Sequence, residues 1–442
     1  MGAALDGSIF RPADIKEEYE GGVMGTASDV DKVVSLIHPE EVVDLAVALG
    51  NIPSPSGDEE AIGVFLSEWL NKEGFQSFSQ CAALGRDNII ARIPGSGGGK
   101  SLIFNAHMDT FLWAPHDLWI EGEEEPHFNG AWVDGGKVYG HGVVNDKGPM
   151  AAFLIAAKAL RDSGVSMGGD VILTMVVGEI GGAPIDEFQG TPYLGKGLGS
   201  RHLVDHGVFA DCALVAETTG FGLAWAECGA LYIKITTRGK RLYTPYIQRP
   251  HPPEESPNAL VQMAKFVLAI EEWAVEYEQK NVLPIETGEI RPKASVGAIR
   301  SGLPFRPSCC PAVCSSYLDV RLLPGADPKP VLEDLRSLAG RIGVGAEFEV
   351  YLYRRGYIGE NIEHLRGAIE SAHRHVFGTM PGGVPSPVTS MWRDVNVFNG
   401  AGIPSITYGP GSGSGGGATY LEVEDLVRAS QVYALTALSA CG

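Results

Sequence analysis

The segment SLIFNAHMDT at 101–110 ends an apolar run with an imidazole and a carboxylate two residues apart. In an extended strand alternate side chains share a face, so His107 and Asp109 point the same way. A carboxylate beside an imidazole fixes the tautomer and aims the free nitrogen, which is how proteins orient a metal-binding histidine. Alone, the pair reads equally as a strand-end histidine bonded to its neighbour. Three acidic residues further along fall in comparable places. Asp146, in YGHGVVNDKGPMAAFLIAAKAL, stands at the entrance of an apolar helix, after Gly140 and Gly142, which allow an unusual turn. Its simpler reading is a helix N-cap. Glu179 closes the strand VILTMVVGEIGG among Gly178, Gly181 and Gly182, and Glu217 closes ALVAETTG. Each is weak singly. Four such groups at consecutive strand ends or at a helix start favour a metal site.

One imidazole with two or three carboxylates suits Zn²⁺, Mn²⁺ or Co²⁺ rather than soft thiolate chemistry. A divalent ion with an open position lowers the pKa of bound water and polarises a carbonyl, so hydrolysis is the natural reaction class.

The elements that must position these residues follow from the pattern. Helices are expected over 40–50, 57–74 and 148–163, and strands over 87–94, 101–107 and 170–177. Strands separated by helices imply an α/β fold, a mostly parallel sheet with helices on both faces. Ligands collect at the carboxyl ends of such strands, where His107 falls. From about 222 the texture changes: a strand at 231–239, a helix at 257–278, strands at 294–300 and 313–322, a helix at 329–341 and a strand at 346–353. That βαββαβ order reads as a small α+β, ferredoxin-like domain inserted into the larger one. The alternating pattern resumes from 360, with a strand at 405–408 and a last helix from 424. The expected organisation is a loosely ordered N-terminal arm (1–35), a discontinuous catalytic domain (36–221 and 356–442) and a lid (222–355). The glycine-rich run at 95–101 resembles a phosphate loop but is one residue short and precedes a strand, so a hairpin turn is expected.

Bulk properties narrow the function. At 442 residues the chain exceeds one ordinary core. A formal charge of −20 argues against nucleic acid or an anionic membrane as partner. The seven cysteines cannot all pair, and Cys309, Cys310 and Cys314 lack metal-ligand spacing. They read as buried thiols on a strand in a reducing cytosol. No apolar run is long enough to span a bilayer and no signal pattern opens the chain, so a cytoplasmic protein is expected.

The order HMD, GHGVVNDKGPMAA, GEIGG, ADCALVAETT and then a βαββαβ insertion resembles the metallopeptidase and aminoacylase family that includes succinyl-diaminopimelate desuccinylase, acetylornithine deacetylase and glutamate carboxypeptidase. The resemblance covers roughly 40–442 and implies that family's zinc-peptidase-like fold with its lid and dimerisation domain. It implies that His107, Asp146 and Glu217 hold one metal, that Asp146 bridges to a second ion with Glu179 as ligand, and that Asp109 orients His107. Three positions depart from the family. Gly178 stands where the family has its general-base glutamate. Gly415 falls near the place of its last metal-binding histidine. Tyr243 stands where the lid brings a histidine, with His251 in a short proline-rich insertion after it.

Without the late histidine, the second site keeps only Asp146 and Glu179, too few for a closed or catalytic zinc site. One ion per subunit is therefore expected rather than two, with Zn or Mn, or Co, as the metal. Glu179 is then free to act as general base or as a fourth ligand; Asp186 and Glu187 are lesser candidates for the base. Tyr243 or His251 could serve an oxyanion, and Asp394 completes the candidate substrate contacts. The glycine run at 411–417 is either a plain loop or a backbone nest for a substrate carboxylate. The expected function is hydrolysis of a C–N bond in a small molecule by a homodimer joined through the lid. The alternatives are hydrolytic deamination of an aromatic or cyclic substrate, and a non-catalytic binding protein.

Overall fold

The structure, a computed structural model, describes residues 25–111, 130–140, 142–250, 256–415 and 418–442. Its main sheet has six strands in the spatial order Ser77–Ala83, Arg86–Ile93, Val171–Val176, Leu102–His107, Cys212–Val215 and Ser405–Thr407. The central strand Leu102–His107 runs parallel to both neighbours, Leu102 facing Val171 on one side and Cys212 on the other. All six of its residues are buried, as a strand covered on both faces requires. Its cover includes the helices Gly148–Ser163 and Val423–Cys441, whose small and aliphatic residues allow burial along most of their length. Phe104 of the strand stacks on Phe153 with ring centroids 5.9 Å apart. Pro149 opens the first of these helices and Gly164, at φ +64°, closes it in the left-handed conformation.

A second, antiparallel sheet has the order Ala294–Ser301, Val313–Leu322, Gly229–Arg238, Ala346–Arg354. The alternation along Gly229–Arg238 sends Leu231, Ile233 and Ile235 into a separate core with Met263, Phe266 and Ile270 of the helix Ala259–Lys280. The residues between them, Tyr232 and Lys234, face the loop after Val171–Val176. A Cβ on Gly182 of that loop would lie 3.3 Å from the Tyr232 ring. No helix among the described residues is long and apolar enough to cross a membrane.

Three details differ from expectation. The helix Ala27–Val34 lies within the expected arm, and its Val30 and Val33 pack into the main core. The run at 95–101 is not a hairpin turn, because the strands beside it flank Val171–Val176 instead of pairing. It lies backbone to backbone on Gly168 and Gly169, where Ser96 and Gly97 N–H groups donate to the Met167 and Gly168 carbonyls at 2.8 Å. A Cβ on Gly169 would sit 1.8 Å from the Lys100 carbonyl oxygen, so glycine is required there. A small four-stranded sheet, Gly413–Gly415, Ala418–Glu422, Lys137–Gly140 and Ala131–Asp134, was not legible. Cys310 and Cys314 are buried thiols and Cys309 is partly so, but they divide between two strands.

Candidate metal centre

Three ligand atoms, one each from His107, Asp146 and Glu217, lie within 4.8 Å of one another, and all three residues are buried. Each is delivered by a different element. His107 ends the central strand. Asp146 sits in an irregular turn, 143–147, after a cis Asn145–Asp146 peptide bond and just before the helix Gly148–Ser163. Glu217 follows the neighbouring parallel strand Cys212–Val215. Parallel packing of the two strands and the helix entrance is what brings the three together at the carboxyl edge of the sheet.

The His107 ring is fixed by its Nδ1, 2.9 Å from the Asp109 carbonyl oxygen, which leaves Nε2 for a ligand; Asn145 Oδ1 is 3.2 Å from Nε2. The Asp109 carboxylate was expected to orient this ring. It lies 3.5 Å from Nδ1, but its two oxygens accept N–H bonds from Glu179 at 3.0 Å and Ile180 at 2.9 Å. The Asp109 carbonyl and carboxylate thus both lie against Nδ1, and the carboxylate also ties the His107 strand to the loop carrying Glu179.

Burial alone would push His107 below the ordinary imidazole range, but the carboxylates of Asp109, Asp146 and Glu179 outweigh it and lift the ring well above that range. Burial raises Asp146 well above the usual carboxylate range, with His107 opposing and Glu217 adding to it. Asp146 Oδ1, Glu217 Oε1 and Glu179 Oε1 are all buried and have no hydrogen-bond partner. Buried oxygens are seldom left so. Converging ligand atoms, orphaned carboxylate oxygens and the lack of thiols fit a divalent ion of the Zn²⁺ or Mn²⁺ kind.

Glu179 is buried beside this group, near enough that its charge acts on His107, Glu217 and Arg393, but it is not one of the three converging ligands. It stands beside the triad with Oε1 buried and unpartnered, the place of either a fourth ligand or a base. Arg393 and Glu227 were missed altogether. Arg393 is buried, with Nε 2.7 Å from Glu217 Oε2 and Nη1 3.1 Å from Glu227 Oε1. Glu227 Oε1 also accepts from Thr407 Oγ1 at 3.3 Å, and burial pushes its pKa up to about 8. The one signal was an Arg-Asp pair set in the largely apolar MWRDVNVF.

Asp394, expected to contact substrate, is buried, with Oδ1 left without a hydrogen-bond partner. Its Oδ2 accepts from Ser200 Oγ at 2.7 Å and Asn105 Nδ2 at 3.2 Å. Asp186 and Glu187 are committed elsewhere. Asp186 is held by Lys234 and Tyr317 of the second sheet, and Glu187 pairs with Arg300. Tyr243 is half exposed on a two-residue strand against Cys309 and, among the described residues, makes no polar or ring contact with the triad. His251 lies outside the described residues. Gly413–Gly415, part of the glycine run, forms a strand opposite Ala418–Glu422 and not a nest.

The glycine at 178 has a structural reason. It takes φ +65°, and a Cβ there would meet Arg86 Nη2 at 2.7 Å. Arg86 is fully buried, paired with Glu59 at 2.7 Å (Nε) and 2.5 Å (Nη2), and donates to the Thr191 and Leu194 carbonyls. A buried ion pair now fills the space beside the position of the missing base.

Residues 103–439 match the family described as Peptidase family M20/M25/M40. Carboxypeptidase G2 of Pseudomonas sp. (strain RS-16) is 31% identical over 238 residues, 51% of this chain and 50% of that protein. An N-formyl-4-amino-5-aminomethyl-2-methylpyrimidine deformylase of Bacillus subtilis (strain 168) is 27% identical over 187 residues, 41% of this chain and 39% of that protein. The chain thus spans half or less of the length of these two relatives. The dipeptidase Dug1p of Saccharomyces cerevisiae superposes with a TM-score of 0.69, covering 95% of this chain and 99% of its own, at 13% identity, a likeness of fold alone.

Proposed function

We infer that this chain, which belongs to Peptidase family M20/M25/M40, is a metal-dependent hydrolase that cleaves an amide-type C–N bond in a small molecule, using one divalent ion. The observation that carries this is the buried convergence of His107, Asp146 and Glu217 with an orphaned oxygen on each carboxylate. A bound Zn²⁺, Mn²⁺ or Co²⁺ supplies Lewis-acid polarisation and a water of lowered pKa. The deformylase among the relatives, by its name, acts on a small molecule, which favours that substrate class.

The chain's own residues do the rest. His107, held at Nδ1 by a backbone carbonyl, presents Nε2. Glu179 keeps Oε1 free in a buried place next to the triad, and Asp109 holds its backbone N–H. With no side chain at Gly178, Glu179 Oε1 is the acceptor for the attacking water's proton and its donor to the leaving nitrogen. Support for a single ion comes from Arg393. Its guanidinium already balances Glu217 Oε2 and Glu227, so the carboxylates left needing a cation make one ion's set. The subunits pair through the lid: Val261, Leu268 and Val275 form an exposed apolar stripe at seven-residue spacing on the helix Ala259–Lys280. Beside it, Ala294–Ser301 is an edge strand of the lid sheet.

The test is turnover of a panel of N-acyl amino acids, dipeptides and formamides with metal content measured in parallel. Glu179→Gln is expected to lower kcat by about 10²–10⁴-fold with bound metal unchanged. Unchanged turnover sinks the role of Glu179. Release of ammonia with an oxygenated ring product and no free carboxylate would make the protein a deaminase, and no hydrolysis at any metal loading would make it a binding protein.

A further inference from the structure

Outside the metal centre, a cavity of about 350 Å³ lies between the helix Leu198–Asp205, the helix Val395–Gly400 and the end of the strand Ala346–Arg354. Three of its lining residues are arginines, Arg201, Arg354 and Arg355; the others used below are Asp205, Tyr357 and Trp392. In a chain of net charge −20 this is a local reversal of sign.

The arginines are held in place, yet not neutralised. Arg201 Nε donates to the Gly197 carbonyl at 3.1 Å, and Arg354 Nε to the preceding carbonyl, Lys196, at 3.0 Å. Lys196 and Gly197 both take positive φ, +47° and +73°, a turn that offers two successive carbonyls to two guanidinium groups. A non-glycine residue in that region persists only where its surroundings hold it. Arg354 Nη1 is also taken, by the Tyr353 carbonyl at 3.0 Å. Arg355 lies over the Tyr357 ring, 5.4 Å from its centroid.

Among the described residues, no carboxylate comes within ion-pair distance of any of the three. Elsewhere in the structure buried or half-buried arginines do find one, as Arg86, Arg321, Arg366 and Arg393 show. Burial and the neighbouring Arg201 bring Arg354 down to about 10. Burial lowers Arg201 too, against the attraction of Asp205 and Asp394. Two like charges kept together in a partly buried cavity, with N–H groups to spare, lack an anion.

We propose that this cavity binds the oxyanion group of a small molecule, a phosphate or a di- or tricarboxylate, with Arg201, Arg354 and Arg355 as its ligands and Trp392 as the wall for the remainder. A volume of 350 Å³ exceeds a lone phosphate and falls in the range of sites for small organic molecules. The planar, five-donor guanidinium is the side chain suited to such groups. Trp392 is nearly buried and is itself held, its Nε1 donating to the Arg355 carbonyl at 3.3 Å.

The experiment is isothermal titration of the metal-loaded full chain with inorganic phosphate, pyrophosphate and citrate at constant ionic strength. Saturable binding of at least one probe is expected at one equivalent, weakened about tenfold or more by Arg201→Gln and by Arg355→Gln. Arg355 is exposed, so its replacement leaves the fold intact even if Arg201→Gln does not. Asp205→Asn, which removes the carboxylate lining the cavity, is expected to tighten binding several-fold. The proposal is overturned if no probe binds, if binding is the same in all three variants, or if His107→Ala abolishes it, which would place the anion at the metal.

Discussion

Arg393 Nε lies 2.7 Å from Glu217 Oε2 while Glu217 Oε1 remains buried without a partner. One carboxylate is thus divided between a resident cation and an open ligand position. The same guanidinium reaches Glu227, so a single arginine spans two acids that the chain places ten residues apart. Removing it leaves the buried Glu217 without its counter-charge and Glu227 without its hydrogen-bond donor. Arg393→Leu is expected to destabilise the protein by about 3–5 kcal/mol, measured as the loss in unfolding free energy by denaturant titration at fixed metal concentration.

The convergence of His107, Asp146 and Glu217 ties metal binding to folding. Chelation is expected to lower Tm, and readdition of Zn²⁺ or Mn²⁺ to restore it by the mass-action increment of a ligand bound only by the folded state. His107→Ala should remove that increment. A Tm indifferent to chelator in the unmodified chain would argue against the site.

Glu227 makes stability depend on pH. Burial raises its folded pKa from 4.5 to about 8. The folded state then holds a proton that the unfolded state releases, so this group's contribution is most favourable below about pH 4.5 and is lost as pH rises toward 8. Glu227→Gln mimics the protonated form and should flatten that part of the profile. Unfolding midpoints from pH 5 to 9 for the two proteins provide the check.

Restoring a glutamate at 178 should not restore the family's base. The backbone sits at φ +65°, and the new Cβ would press on the Arg86 guanidinium at 2.7 Å. Gly178→Glu is expected to cost about 2–4 kcal/mol and to lower turnover. A gain in kcat with an unchanged Tm would show that the Arg86–Glu59 pair yields easily.

The apolar stripe on the helix Ala259–Lys280 predicts the assembly. Leu268, at 70% exposure, is its most open member. Leu268→Glu should convert a dimer to a monomer in sedimentation velocity without loss of helicity, since the side chain supports nothing within its own subunit.

Much of the architecture was open to reading from the chain alone. The strand Leu102–His107, the helix Gly148–Ser163 and the lid elements lie within two or three residues of where periodicity places them. Burial of whole faces imposes a period of 2 or 3.6 on the residue order, and that period is visible without a structure. The candidate ligands were legible for the same reason: His107 and Glu217 end apolar strands and Asp146 opens a helix. The hairpin at 95–101 was misread because a turn's composition does not say whether its flanking strands pair or admit a third strand between them.

The chain by itself thus determined the strands, helices and acidic strand ends that make a cation site possible, because those are local properties of spacing and hydrophobicity. Tertiary structure alone decided the charge balance. Arg393 reaches Glu217 from 176 positions away (393 less 217). Arg86 fills the space above Gly178 from the start of the neighbouring antiparallel strand. Asp394 is tied to Ser200, and Asp186 to Lys234 of the second sheet. Side chains so far apart in sequence leave no periodic trace, and which acid finds a partner and which is left open for a metal is settled only when the strands are laid side by side.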